Sequence, residues 1–211
     1  MTVPQSPKIY HIIHTDKLES VLTDGKLLSD SEIYKKKQSA GTVIGISGIK
    51  RRRLEELTLS IYTDLHVGDC VPFYFCPRSV MLYVIHMRNH PDLEYRDGQQ
   101  NILHFEFDLH NILQQKIQRW AFTDSNAGSR YFQDYNQISC LDKLDWDAIT
   151  AVNWRHCKEK KSAEFLIEKE LSIHLCAQIG CYNKTICDKV KSILLVKKIP
   201  IPVNIKLDWY Y

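Results

Sequence analysis

The sequence predicts an α+β protein built on a mostly antiparallel central sheet with flanking helices. Three observations carry this. Leu103 to Leu109 alternates strictly between apolar and polar side chains, which is the period of a strand. Glu164 opens a short apolar segment, Phe165-Leu166-Ile167, that reads as a buried strand. Strand-like and helix-like stretches then follow one another in mixed order, with no regular β–α repeat. A chain of 211 residues that is 44% apolar can bury a real core, and residues 1–211 are read as a single domain.

In order, Ile9 to Ile13 reads as the opening strand. Asp16, with Glu19 three residues on, reads as the capping box of a helix that presents Leu18, Val21 and Leu22 and stops at Gly25. His11 sits on a strand that runs straight into this helix. It is either a satisfied core histidine or a side chain facing a ligand. Ser29 to Gly41 is polar and reads as a loop. Ile46 to Leu57 reads as a helix with Ile49, Leu54 and Leu57 near one stripe. Arg51, Arg52 and Arg53 cannot share a direction, because helix neighbours stand about 100° apart. One of them is free to face inward. Ser60 to Asp69 reads as a loop.

Val71 to Ser79 (VPFYFCPRS) is an aromatic strand bracketed by prolines that leads into a basic, hydroxylic turn. Alternation puts Phe73 and Phe75 on one face and Tyr74 on the other. The aromatics are either core or, beside Arg78, a surface for stacking bases and holding phosphate. Ser79 caps Val80 to Met87, whose period decides neither helix nor strand. Pro91 to Asn101 is a polar loop. Leu103 to Leu109 is expected to keep one face wet. Trp120 to Asp124 is a strand, and the loop from Asp124 to Tyr135 is placed to select a substrate. Asp145 caps a helix carrying Trp146, Ile149 and Val152. Ile179 to Tyr182 is a strand, Thr185 to Leu195 a helix, and Val203 to Trp209 a closing strand.

The stretch around which the rest is organised is Lys158 to Ile167, where a basic, loop-like run ends in one carboxylate at the edge of the core. The plain reading pairs Glu164 with one of the lysines on a solvated face. The sharper reading is chemistry on an anionic substrate.

A net charge of +3 does not by itself establish a nucleic-acid partner, but the positive charge is clustered at 35–37, 50–53, 158–161 and 197–198. Met1 to Ser6 lacks the apolar stretch of a secretory signal, and no apolar run is long enough to span a bilayer. Seven cysteines at irregular spacings point to reduced thiols in the cytoplasm and not to a disulfide framework or a zinc site. Motifs for a Rossmann or Walker nucleotide site, a nucleophile elbow or a zinc protease are absent from the sequence. Cys76 beside Arg78 is a candidate low-pKa thiol without an obvious histidine partner. Asp142, Asp145 and Asp147 are better explained by helix capping than by Mg²⁺.

Taken together, the residues Ile9 to Ile12 with Asp16 and Leu18, Gly25 to Leu28, Ile49 to Arg53, VPFYFCPRS with Met81 to Tyr83, Phe122 to Asp124, Leu144 to Trp146, Lys161 with Ala163 to Leu166, and Asp208 to Tyr211 resemble the DarT family of DNA ADP-ribosyltransferases, toxins of toxin–antitoxin systems. The resemblance runs almost end to end. It implies an ADP-ribosyltransferase fold related to the poly-ADP-ribose polymerase branch. It implies NAD as substrate, no metal, and transfer of ADP-ribose to a base of single-stranded DNA, thymine favoured, with RNA as the alternative acceptor. By position, Glu164 and Arg53 match the catalytic residues. His11, Ile12, Ile13, Ser20, Leu28 and Arg53 match NAD contacts, and Tyr74 and Arg78 lie in the segment expected beside DNA. A cognate antitoxin is also implied, and a small toxin acting alone is expected to be a monomer. Ile13 stands where relatives carry Thr, and 67–70 and Val80 depart from the family pattern near the expected nucleic-acid face. A binding module without catalysis and a metal nuclease are the readings from other classes.

Overall fold

The computed structural model describes residues 2–36, 41–115 and 119–211. β1 (Lys8–His14) passes through a 3-10 turn at Thr15–Lys17 into α1 (Leu18–Asp24), β2 (Lys26–Leu28) and α2 (Asp30–Lys35). α3 (Ser47–Glu55), β3 (Cys70–Tyr74), α4 (Val80–Met87), β4 (Ile102–Asp108) and α5 (Leu109–Leu113) follow. Then come β5 (Trp120–Asn126), β6 (Asp134–Tyr135), α6 (Trp146–Thr150), α7 (Lys158–Lys161), β7 (Ala163–Glu168) and β8 (Glu170–Ser172). β9 (Cys176–Cys181), α8 (Lys184–Lys197) and β10 (Val203–Ile205) complete the chain.

The main sheet has eight strands in the order β10-β9-β4-β1-β3-β7-β5-β6. β10 runs parallel to β9 and the other neighbours are antiparallel, as the sequence predicts. β2 and β8 form a separate antiparallel pair. One face of the main sheet carries Ile9, Phe73, Phe105, Phe107 and Phe165 into a large core shared with α1, α6 and α8. The other face packs Tyr10 against Leu82, Ile85, Trp209 and Tyr210. Burial of these aromatic and branched side chains is the main stabilising contribution, at roughly 2 kcal/mol for each large one.

Several local expectations are corrected by tertiary contacts. Leu103 to Leu109 has no wet face. β4 lies between β1 and β9, and its polar residues His104 and Glu106 are buried and partnered. His104 Nε2 bonds the carbonyl of Pro77 at 3.0 Å, and Glu106 accepts from Tyr10 Oη at 3.1 Å. Asp16 does not cap α1, whose N-cap is Lys17 without a side-chain bond. Its carboxylate accepts instead from the amide and hydroxyl of Thr42, at 3.0 and 2.6 Å. Gly25 does end α1, at φ 68°, a left-handed conformation that glycine adopts without strain. Ser29 to Gly41 is not simply a loop: Ser29 Oγ accepts from the amide of Glu32 and opens α2, while 37–40 lie outside the described residues. Val80 to Met87 is a helix capped by Ser79, with Leu82 and Ile85 fully buried. The alternation from Val203 breaks off after Ile205 into a 3-10 turn at Leu207–Trp209. Val152 lies beyond α6 and is exposed.

Candidate active site

Pro72 has no N–H to offer a neighbouring strand, and β1 and β3 share a single register pair, Tyr10 with Tyr74. Beyond that pair the two strands part. His11 Nδ1 donates to the Pro72 carbonyl at 2.7 Å across the gap. A cavity of about 320 Å³ opens here, walled by β1, α1, β2, α3, β3 and α4 and by residues preceding and opening β7.

At one end of the cavity stands Glu164. It is the register partner of Tyr74 and is only 2% exposed. Three elements fix it. The peptide N–H of Glu164 donates to Thr123 Oγ1 of β5 at 3.2 Å. The N–H of Ala127, in the turn after β5, donates to its Oε1 at 3.1 Å. Arg53 of α3 brings Nη1 to 3.3 Å from Oε1, and to 3.0 Å from Oε2 in a geometry that makes no hydrogen bond. Glu164 Oε2 and Arg53 Nη2 are therefore buried side by side without hydrogen-bond partners. A buried acceptor and a buried donor left open cost free energy unless something binds them. They are what a hydroxyl-bearing, polar ligand would use.

Of the three consecutive arginines, Arg53 is thus the inward one. Burial is the largest influence and works against its charge, but Glu164, through its charge and hydrogen bond, together with Tyr74 and Asp30 outweighs it and holds the guanidinium above its ordinary pKa. Arg52 bonds the carbonyl of Gly128 and so secures the turn that supplies the Ala127 amide. Lys160 holds the end of β5, just before that turn, through Asp124 at 2.6 Å. Burial pushes His11 down to about 4. The imidazole is neutral, its proton is on Nδ1, and Nε2 is left as an acceptor. Tyr74, likewise pushed up by burial and then by the charge of Glu164, stays a phenol.

His11, Ile12, Ile13, Ser20, Leu28, Arg53, Tyr74 and Glu164 all line this cavity. Arg78 does not. Its guanidinium lies 4.5 Å from the ring centre of Tyr211, next to the cluster of Tyr83, Trp154 and Tyr211. Cys76 is buried, and burial raises its thiol in spite of the neighbouring Lys161 ammonium, which removes the case for a nucleophilic thiolate. Among the described residues no three His, Cys, Asp or Glu side chains are grouped to hold a metal. Lys17, Lys50, Asn126 and Ser162 also line the cavity and were not singled out from the sequence. Only the fold brings Lys17, Lys50 and Asn126 into the same cavity as Glu164.

The sequence from residue 10 to 211 matches the family model of DarT, an ssDNA thymidine ADP-ribosyltransferase. This chain belongs to the DarT family. A DNA ADP-ribosyl transferase of Thermus aquaticus is 34% identical over 215 residues, spanning 100% of this chain and 92% of the relative. The solved structure of Thermus sp. 2.9 DarT in complex with ADP-ribosylated ssDNA has a TM-score of 0.89 at 32% identity, covering 100% of this chain and 99% of that one. The same Thermus DarT in complex with NAD+ has a TM-score of 0.84 at 31% identity, with 100% of both chains covered. The DarT fold is therefore that of this chain, and the split between β1 and β3 is where the cavity beside Glu164 lies.

Proposed function

We propose that this DarT enzyme transfers ADP-ribose from NAD to a base of single-stranded DNA, thymine by preference, with Glu164 and Arg53 as its catalytic pair. The observation that carries the reading is the pair of open polar atoms, Glu164 Oε2 and Arg53 Nη2, buried together at the cavity wall. The bond between nicotinamide and ribose breaks, nicotinamide leaves with the bonding electrons, and positive charge develops on the sugar. Glu164, held through Oε1 by Ala127 and Arg53, keeps Oε2 as the anionic acceptor. It stabilises that charge and takes the proton that the base nitrogen loses as it attacks. Arg53 stays protonated and orients the reacting groups, lowering the cost of negative charge on the base.

His11, Ile12, Ile13, Ser20 and Leu28 hold NAD in this reading. The neutral His11 offers Nε2 to a sugar hydroxyl. Ile13, 5% exposed, contributes an apolar wall where relatives offer a Thr hydroxyl. Tyr74, beside Glu164, positions the acceptor base. Arg78 meets the strand outside the cavity, its ring partner Tyr211 forming a cation–aromatic platform suited to nucleic acid. The enzyme acts as a toxin, as a monomer in the cytoplasm, with a cognate antitoxin that removes the modification or binds the enzyme. The unpaired state of all seven cysteines supports a reducing compartment.

The test is incubation with labelled NAD and matched single-stranded pools of DNA and RNA, with mass spectrometry of the modified base. Label on thymine of DNA is expected. Label confined to RNA moves the acceptor. Intact NAD with either pool leaves a nucleic-acid-binding module.

A further inference from the structure

Five cations line the cavity: Lys17, Lys26, Lys50, Arg53 and Lys158. Three are matched by carboxylates. Lys26 pairs with Glu170 at 2.6 Å, Lys50 with Asp30 at 2.5 Å, and Arg53 with Glu164 at 3.0 Å. The remaining acid on the wall, Asp24, is held by Lys36 at 2.9 Å. Lys158 has no ion-pair partner among the described residues but is exposed. Lys17 is different, being half-buried in the wall. Its sequence neighbour Asp16 is occupied by Thr42 and by His14, whose Nδ1 lies 2.9 Å from Oδ1. The Lys17 ammonium makes no hydrogen bond or ion pair among the described residues. Burial, and then the charge of Lys50, disfavour its ammonium and lower its pKa. The cavity wall thus holds one half-buried ammonium with no hydrogen-bonded partner, on which Asp30 and Asp16 act only at a distance, beside a second lysine that is directly paired.

We infer that Lys17 is the positioning residue for the diphosphate of NAD, with Lys50 as its neighbour. This rests on the NAD reading above and assigns a residue that the family positions leave out. A diphosphate brings two negative charges and several acceptor oxygens, and an ammonium on a flexible stem is suited to meet it as a point charge. Lys17 follows directly on the strand that carries His11, Ile12 and Ile13, so one segment would hold the sugar and the phosphates. Glu164 and Arg53, on the same cavity wall, would face the reacting carbon. Lys17 itself stands on the turn before α1, apart from α3 and β7 that carry Arg53 and Glu164. That separation makes the effect of Lys17 one on substrate capture and not on turnover.

The experiment is steady-state kinetics of the whole enzyme on single-stranded DNA with Lys17→Met, which keeps an apolar stem, and Lys17→Arg, which keeps the charge. We expect Lys17→Met to raise KM for NAD about tenfold or more, the size of one charge-assisted contact, with kcat within about twofold. Inhibition by ADP-ribose should weaken by the same factor, while inhibition by nicotinamide, which has no phosphate, should hold. Lys17→Arg should recover most of the loss. An unchanged KM in Lys17→Met, or a fall in kcat with KM held, overturns the assignment. So does equal weakening of ADP-ribose and nicotinamide, which marks a general distortion of the cavity. Wild-type protein that leaves NAD intact with single-stranded DNA overturns it at a different point, the NAD reading itself.

Discussion

Arg53 and Glu164, 111 residues apart in sequence, form a buried ion pair in which Nη1 stands 3.3 Å from one carboxylate oxygen and 3.0 Å from the other. Their side chains are 12% and 3% exposed. Removing one partner leaves an uncompensated charge, which in buried pairs costs about 3 kcal/mol or more. Arg53→Met should therefore destabilise the protein by about that amount. Adding Glu164→Gln should return much of the loss. Urea unfolding of wild type, both single variants and the double variant measures this. Equal instability of Arg53→Met and the double variant would show that the pair does not govern the stability of the site.

Gly180 of β9 lies under the indole of Trp209. A Cβ at 180 would stand 2.4 Å from the ring, and the ring is 6% exposed with its edge toward Tyr10. Gly180→Ala should displace Trp209 and the turn around it, at a cost of about 2 kcal/mol or more. The check is the Tm of the variant together with near-ultraviolet circular dichroism of the tryptophans.

His104 is fully buried against Tyr210, and burial pushes it down to about 4 in the folded chain, while its ordinary value is 6.5. Between those values the unfolded state binds the proton and the folded state does not. The stability linked to this group is present above about pH 6.5, falls as the pH drops toward 4, and levels off below. The difference corresponds to roughly 3 kcal/mol. Denaturant titrations from pH 7 to 4 should show a shallower decline in His104→Asn than in wild type. Identical slopes would contradict it.

The sequence is informative where the determining contacts are local, and weaker where they are distant. Ser79, Asp145 and Gly25 mark helix ends because a cap bonds an amide three residues on or a glycine takes a left-handed φ. Asp16 with Glu19 carries the same local signature, yet Thr42 takes the carboxylate. Alternation along β4 is real, but a polar face looks the same in sequence whether it meets water or, as here, Tyr10, Gln178 and the Pro77 carbonyl. Glu164 stands out as a lone acid opening an apolar strand. That its partner is Arg53 and not a lysine of its own run depends on α3 crossing to β7. The open charge at Lys17 has no signature in sequence, since it follows from which lysines found carboxylates.

The most direct test of the account is the turnover of NAD by Glu164→Gln in the presence of single-stranded DNA, with the fold checked by circular dichroism and thermal unfolding. Glutamine keeps the shape and the contacts to Ala127 and Arg53 within reach but cannot carry the charge or accept the proton. We expect a fall on the order of a thousandfold in kcat with the fold intact and NAD still bound. A folded Glu164→Gln protein that releases nicotinamide and labels DNA near the wild-type rate would contradict the assignment of Glu164 and, with it, the chemistry proposed for this site.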